Sequence, residues 1–184
     1  MIQKNTFLLL TIILSIQTID VFSQKKIIKW SEDVRLTWDD FNEKKGTKLA
    51  YSAVAIKLKP IVSTTKKIKL EVYAYFDKSK SRTGIYDDKV LEHERLHFLI
   101  GELYARKLRK KILLTDKKKF FKDRGQFNIV YIKNYNAYLE YQKKYDKETV
   151  NSVDKEKQIL WEKKVREELK NYQNYSNTII EINR

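Results

Sequence analysis

The chain has 184 residues, 42% of them apolar and 12% aromatic, which is enough for one domain with a core and short for two. Zero Cys excludes a disulfide framework, a thiolate metal site, a cysteine nucleophile and a lipid-modified cysteine. The balance of 39 Lys and Arg against 24 Asp and Glu leaves +15; the basic residues are scattered Lys pairs, so a solvated surplus is the plainer reading, an anionic envelope polymer stays open as a partner, and nucleic acid is disfavoured.

Lys4 precedes the apolar run FLLLTIILSI at residues 7–16. At ten residues that run is too short to span a bilayer and suits the core of a signal peptide over 1–23, with Val21 and Ser23 placed for a cut before Gln24. No other stretch could cross a membrane, so no transmembrane helix is expected. The expected mature chain, 24–184, is a single domain that is secreted or periplasmic and is not a lipoprotein.

The first part of that domain reads as strands. Short apolar pieces at 27–30 and 36–38 come first. Val54, Ile56 and Leu58 alternate with Ala55 and Lys57 until Pro60 ends the run. Ile68, Leu70, Val72, Ala74 and Phe76 then alternate with polar and phenolic residues. Residues 44–48, around Gly46, and 77–86 read as loops. Helices follow. Asp87 or Asp88 can cap one that continues to about 113, with Val90, His93, His97, Ile100, Gly101, Tyr104 and Leu108 along one stripe. A second stretch covers roughly 116–145, with a break near Gly125, and a third roughly 154–172. The expected class is α+β: a small antiparallel or mixed sheet, then helices packed on one face.

His93-Glu94-Arg95-Leu96-His97 is an HExxH motif, and it uses both histidines of the chain. Residues four apart on a helix face the same way, about 5–6 Å between Cβ atoms, so two imidazoles can converge on one Zn²⁺. The intervening Glu94 points to a neighbouring direction, where it can accept a proton from the attacking water. The preceding strand, 67–76, could take a peptide substrate as an added strand if it lay at a sheet edge. A third protein ligand is needed. Glu102 lies on the opposite helix face, where it should pair with Arg106. Asp146, Glu148, Asp154 and Glu140 are the later candidates.

Leu36-Thr37-Trp38 with Asp40-Phe41, the extended motif His93 to Phe98, Glu102, Ala105-Arg106, and Tyr145-Asp146-x-Glu148-Thr149 followed by Gln158 and Trp161 occur in that order. This pattern resembles the domain-of-unknown-function family 922, described as predicted secreted zinc-dependent proteases. The resemblance implies a zincin-like fold, with zinc on His93 and His97 and Glu94 as general base. Two positions depart from the family pattern. Asn151 stands where the family's Thr-x-His block has its His, and Ser81-Arg82 stands for a Ser-Trp pair. If that His is the family's third ligand, Asn151 is a weak substitute; the competing third ligand is Asp146. The expected activity is that of an exported zinc-dependent peptidase acting on a peptide or protein, with Tyr145 as a candidate oxyanion stabiliser. The alternative is a catalytically impaired binding module of the same fold at the cell envelope.

Overall fold

The computed structural model describes residues 26–46 and 48–184; the signal-peptide expectation for 1–23 falls outside them. The architecture is α+β, built on a strand with one apolar face. That strand, β5 (Lys67–Asp77), buries Ile68, Leu70, Val72, Ala74 and Phe76 toward the helices. Period-two alternation puts these five side chains on the same side of the pleat.

One edge of β5 pairs antiparallel with β4 (Val54–Ser63) along its length. Its other edge pairs antiparallel with β1 (Ile27–Lys29) at one end and with β7 (Ile179–Asn183) at the other. The gap between β1 and β7 is closed at Val72, whose N–H donates to the Thr178 carbonyl at 2.8 Å and whose carbonyl accepts from Arg109 Nη1 at 2.6 Å. β5 is therefore a central strand, and the expectation that it receives a substrate strand is corrected. The true edge, β4, has carbonyls already taken: Tyr138 Oη donates to Val54 O at 2.9 Å and Tyr131 Oη to Ile56 O at 2.8 Å.

Pro60 does not end β4. The strand runs on to Ser63 with a register shift between Pro60 and Val62, which an edge position tolerates because the missing N–H breaks no second ladder. The piece at 36–38 is not a strand. It leads into a short 3₁₀ turn, Trp38–Asp40, closed by Asp40 Oδ2 accepting from Thr37 N at 2.9 Å. A second small sheet joins β2 (Asn42–Glu43), β3 (Ala50–Tyr51) and β6 (Arg82–Thr83), so the loop expected at 44–48 is flanked by strands and the one expected at 77–86 holds a short strand within it.

Helix α1 (Asp88–Leu114) starts where the sequence places it: Asp87 Oδ1 accepts from Lys89 N at 2.8 Å and Val90 N at 3.3 Å. At 27 residues it is about 40 Å long and crosses the sheet. Gly101 marks the closest approach, since a Cβ there would sit 2.7 Å from Val54 Cγ1 and 3.4 Å from Ala74 Cβ. After α2 (Lys117–Lys122) the chain breaks at 123–125, as Gly125 suggested, and α3 (Gln126–Glu148) packs against α1. Helix α4 (Lys155–Asn171), capped by Asp154, packs against α1 from another side. Glu102 pairs with Arg106, as expected, but in the interior: Glu102 Oε1 accepts from both Arg106 Nε and Arg109 Nη2, and all three residues are buried. Among the described residues no helix is long and apolar enough to cross a membrane.

Candidate metal centre

His93 and His97 lie one turn apart on α1 and face α3. Their Nε2 atoms are 3.1 Å apart. Asp146, near the end of α3, brings Oδ1 to 3.2 Å from His93 Nε2 and 2.8 Å from His97 Nε2. Three donor atoms on three residues thus form one small triangle. A tetrahedral zinc with ligand bonds of 2.0–2.1 Å separates neighbouring ligands by about 3.3 Å. The triangle needs to widen by only a few tenths of an ångström to become a face of that tetrahedron. Asp146 has a side-chain exposure of 39% and marks the side of the triangle open to solvent.

What fixes these atoms is a pair of glutamine amides. His97 Nδ1 lies 2.7 Å from Gln142 Oε1, and His93 Nδ1 lies 3.2 Å from Gln158 Oε1. The Gln142 amide cannot be turned round, because its Nε2 donates to the His97 carbonyl at 3.1 Å and to Tyr138 Oη at 2.9 Å. Gln158 Oε1 accepts from Tyr145 Oη at 2.6 Å, and the same hydroxyl lies 3.3 Å from the His93 carbonyl. Each Nδ1 faces an acceptor, which suits a ring protonated there whose Nε2 lone pair is free for a cation; without a cation, a proton on Nε2 bonds Asp146. Two Nε2 atoms and a carboxylate oxygen within 3.2 Å of one another call for shared protons or a cation among them. The donor set, two neutral imidazoles and one carboxylate, suits a divalent transition metal.

The electrostatics agree with a site that attracts positive charge. Burial disfavours the His97 cation, yet the Asp146 hydrogen bond, the Glu94 and Asp146 charges and Gln142 together raise its pKa above the ordinary value. Burial also works against the Asp146 anion, but hydrogen bonds and charge from His93 and His97 hold its carboxyl well below the usual range.

Glu94 is buried, and its Oε2 has no hydrogen-bond partner among the described residues. A buried carboxylate oxygen left unpaired is costly, which is why such groups concentrate at functional sites. Its charge is felt by His97 and by Tyr145.

The other expected ligands have different work. Glu140 pairs with Lys143 on the surface, Glu148 Oε2 accepts from Trp161 Nε1 at 2.9 Å, and Asp154 caps α4 by accepting from Lys157 N. Asn151 sits in an exposed turn at φ 50, with its backbone N–H donating to the Asp146 carbonyl at 2.9 Å. It is not part of the triangle; the carboxylate of Asp146 is. Tyr145 is fully buried, stacks on His93 with centroids 4.5 Å apart, and turns its hydroxyl to Gln158 Oε1 and the His93 carbonyl. That corrects its expected oxyanion role: it positions a ligand. Gln142 was missed by sequence reasoning, although it lies four residues before Asp146 on one helix face, and Gln158 was noticed without a role. Compared with family models, curated proteins and solved structures, the chain matches none of them.

Proposed function

We propose that this protein is an exported, zincin-like zinc hydrolase that cleaves peptide bonds, of the kind its resemblance to family 922 implies. One observation carries the reading: a His93–His97–Asp146 triangle whose Nε2 atoms point inward while Gln142 and Gln158 face the Nδ1 atoms, next to a buried Glu94 with an unpaired oxygen. His93, His97 and Asp146 would hold the ion and leave one coordination position on the solvent side. Bound there, zinc supplies Lewis acidity that activates water and polarises a carbonyl.

The chain's own residues do the rest. Glu94, unpaired at Oε2, takes a proton from the attacking water and delivers it to the leaving amine. Its burial keeps bulk water from competing for that proton. Gln142 and Gln158 keep both imidazoles in one tautomer throughout. With the β4 carbonyls of Val54 and Ile56 occupied by tyrosine hydroxyls, a substrate reaches the site from the Asp146 side rather than by extending the sheet there.

The test is Glu94→Gln, which keeps size and removes the base. It should retain zinc while hydrolysis of an unstructured protein such as casein falls by about 10²–10⁴-fold, the usual worth of a general base. Equal hydrolysis by wild type and Glu94→Gln would contradict the proposal.

A further inference from the structure

The face of α1 turned away from the histidines borders a second cavity, of about 860 Å³, between residues 30–36 and the C-terminal half of α4. Trp30, Val34, Leu36, Leu99 and Leu169 give it apolar walls, and Arg106 lies among its lining residues. Arg106 is only 2% exposed. Its Nε donates to Glu102 at 3.0 Å, and its Nη1 donates to the Leu169 carbonyl at 3.2 Å and to Gln173 Oε1 at 2.8 Å. Nη2 donates no hydrogen bond among the described residues; the guanidinium carbon lies 5.4 Å from the Trp30 ring centroid. The nearest carboxylate to it in an ion pair is that of Glu32, 3.8 Å away on a side chain 72% exposed.

Charge counting shows what is missing. Glu102 Oε1 serves both Arg106 and Arg109, so two buried guanidinium groups share one buried carboxylate. One positive charge is left over in the interior, a costly arrangement unless an anion completes it. Arg109 is engaged at every nitrogen, donating to Tyr175 O, Val72 O and Glu102. Arg106 Nη2 is the outlet for the surplus, and it belongs to the cavity lining. At the rim, Arg35 and Arg95 share Glu92 in the same two-to-one way, at 2.7 Å and 2.6 Å.

We propose that this cavity is a binding site for a ligand with one carboxylate on an apolar body. The carboxylate docks on Arg106 Nη2, and the body lies against Trp30 and Leu169. A single negative charge matches the one buried surplus at Arg106; the rim adds further positive charge, so the apolar walls, rather than charge, disfavour inorganic phosphate. Two sources supply this chemistry, the C-terminus of an apolar peptide and a free acyl carboxylate. Glu32, reaching toward Arg106 from the rim, is a weak internal competitor for the same place. The site lies on the face of α1 opposite the histidines and does not depend on metal.

Calorimetric titration of the full chain with acetyl-Leu-Leu-Phe, its C-terminal amide and octanoate tests this. At least one carboxylate should bind, with the amide at least about tenfold weaker than the free peptide acid or silent. Arg106→Gln should lower carboxylate affinity at least about tenfold, or 1.4 kcal/mol. Glu32→Gln, an exposed change that leaves the fold intact, should tighten binding. Peptide binding identifies a C-terminus as the ligand, and octanoate binding alone identifies an acyl carboxylate; either upholds the site. Binding of neither, equal binding of acid and amide, inorganic phosphate competing as well as the carboxylate, or unchanged affinity in Glu32→Gln would overturn it. So would wild-type affinity in a folded Arg106→Gln.

Discussion

Gln142→Leu removes an amide and leaves the three metal donors in place. In the wild type, Oε1 accepts from His97 Nδ1 at 2.7 Å and Nε2 donates to the His97 carbonyl at 3.1 Å and to Tyr138 Oη at 2.9 Å. Leucine fills a similar volume and answers none of these groups. In the metal-free variant His97 has a way out: its proton can move to Nε2 and be donated to Asp146, 2.8 Å away. That tautomer blocks the site, and metal must then drive the proton back to an Nδ1 with no acceptor. Leaving that buried N–H unpaired costs about 1–3 kcal/mol. Zinc affinity should therefore fall by about 10–100-fold, the range seen when an outer hydrogen bond to a liganding imidazole is lost. Because the metal-free form relaxes, its melting temperature should drop less than the affinity implies. Competition against a chromophoric zinc chelator, with circular dichroism to confirm folding, measures both. Gln142→Glu keeps the acceptor for Nδ1 but sets a carboxylate oxygen against the His97 carbonyl; it should lower stability yet retain zinc affinity that leucine loses. A folded Gln142→Leu variant with wild-type zinc affinity would refute the reasoning that the amide sets the tautomer.

The ligand set makes a paired prediction. Asp146→Ala should abolish stoichiometric zinc binding, whereas Asn151→His, in the exposed turn, should change affinity by less than about threefold, or 0.6 kcal/mol; the reverse pattern in a chelator titration would move the third ligand to 151. The pH dependence of the metal-free protein follows from the two shifted groups. His97, raised above 6.5, contributes stability fully below pH 6.5 and loses it as pH climbs through its raised value; Asp146, lowered from 3.8, contributes above pH 3.8 and loses it as pH falls. Both contributions are present between those values, so the metal-free melting temperature should hold up to pH 6.5 and decline as pH climbs above it, while zinc affinity, which needs deprotonated imidazoles, rises. A metal-free protein with a flat or rising profile would remove the His97–Asp146 coupling from the description.

Much of the frame was legible because it rests on local signals. Asp87 as a cap, the period-two run from Ile68 to Phe76 and the helix break at Gly125 are all decided within a few residues. The HExxH pair was legible for the same reason, since one helical turn alone brings His93 and His97 together. What stayed hidden depends on packing between distant elements. Asp146 could not be told from Glu140, Glu148 or Asp154 until α3 was laid against α1 in one register. Gln142 and Gln158 are uncharged and common, so nothing in composition marks them; only their contacts with the two Nδ1 atoms give them a role. The strand β7 was missed because Ile180 and Ile182 form too short an alternation to stand out without β5 beside them. Pro60 misled because a proline stops a central strand, and β4 is an edge. Arg109, to which the sequence assigns no role, plugs the gap at Val72.

The most direct measurement is metal content and its effect on stability. Protein purified without chelator should carry one zinc per chain by elemental mass spectrometry. Stripping it should lower the melting temperature, and adding zinc back should restore it; at a free zinc concentration 100 times the dissociation constant the gain is about 2.7 kcal/mol. His93→Ala should lose both the metal and the gain. If the wild-type chain holds no metal and zinc leaves its melting temperature unchanged, His93, His97 and Asp146 form a protonated hydrogen-bond cluster, and the proposed hydrolase falls with the metal centre.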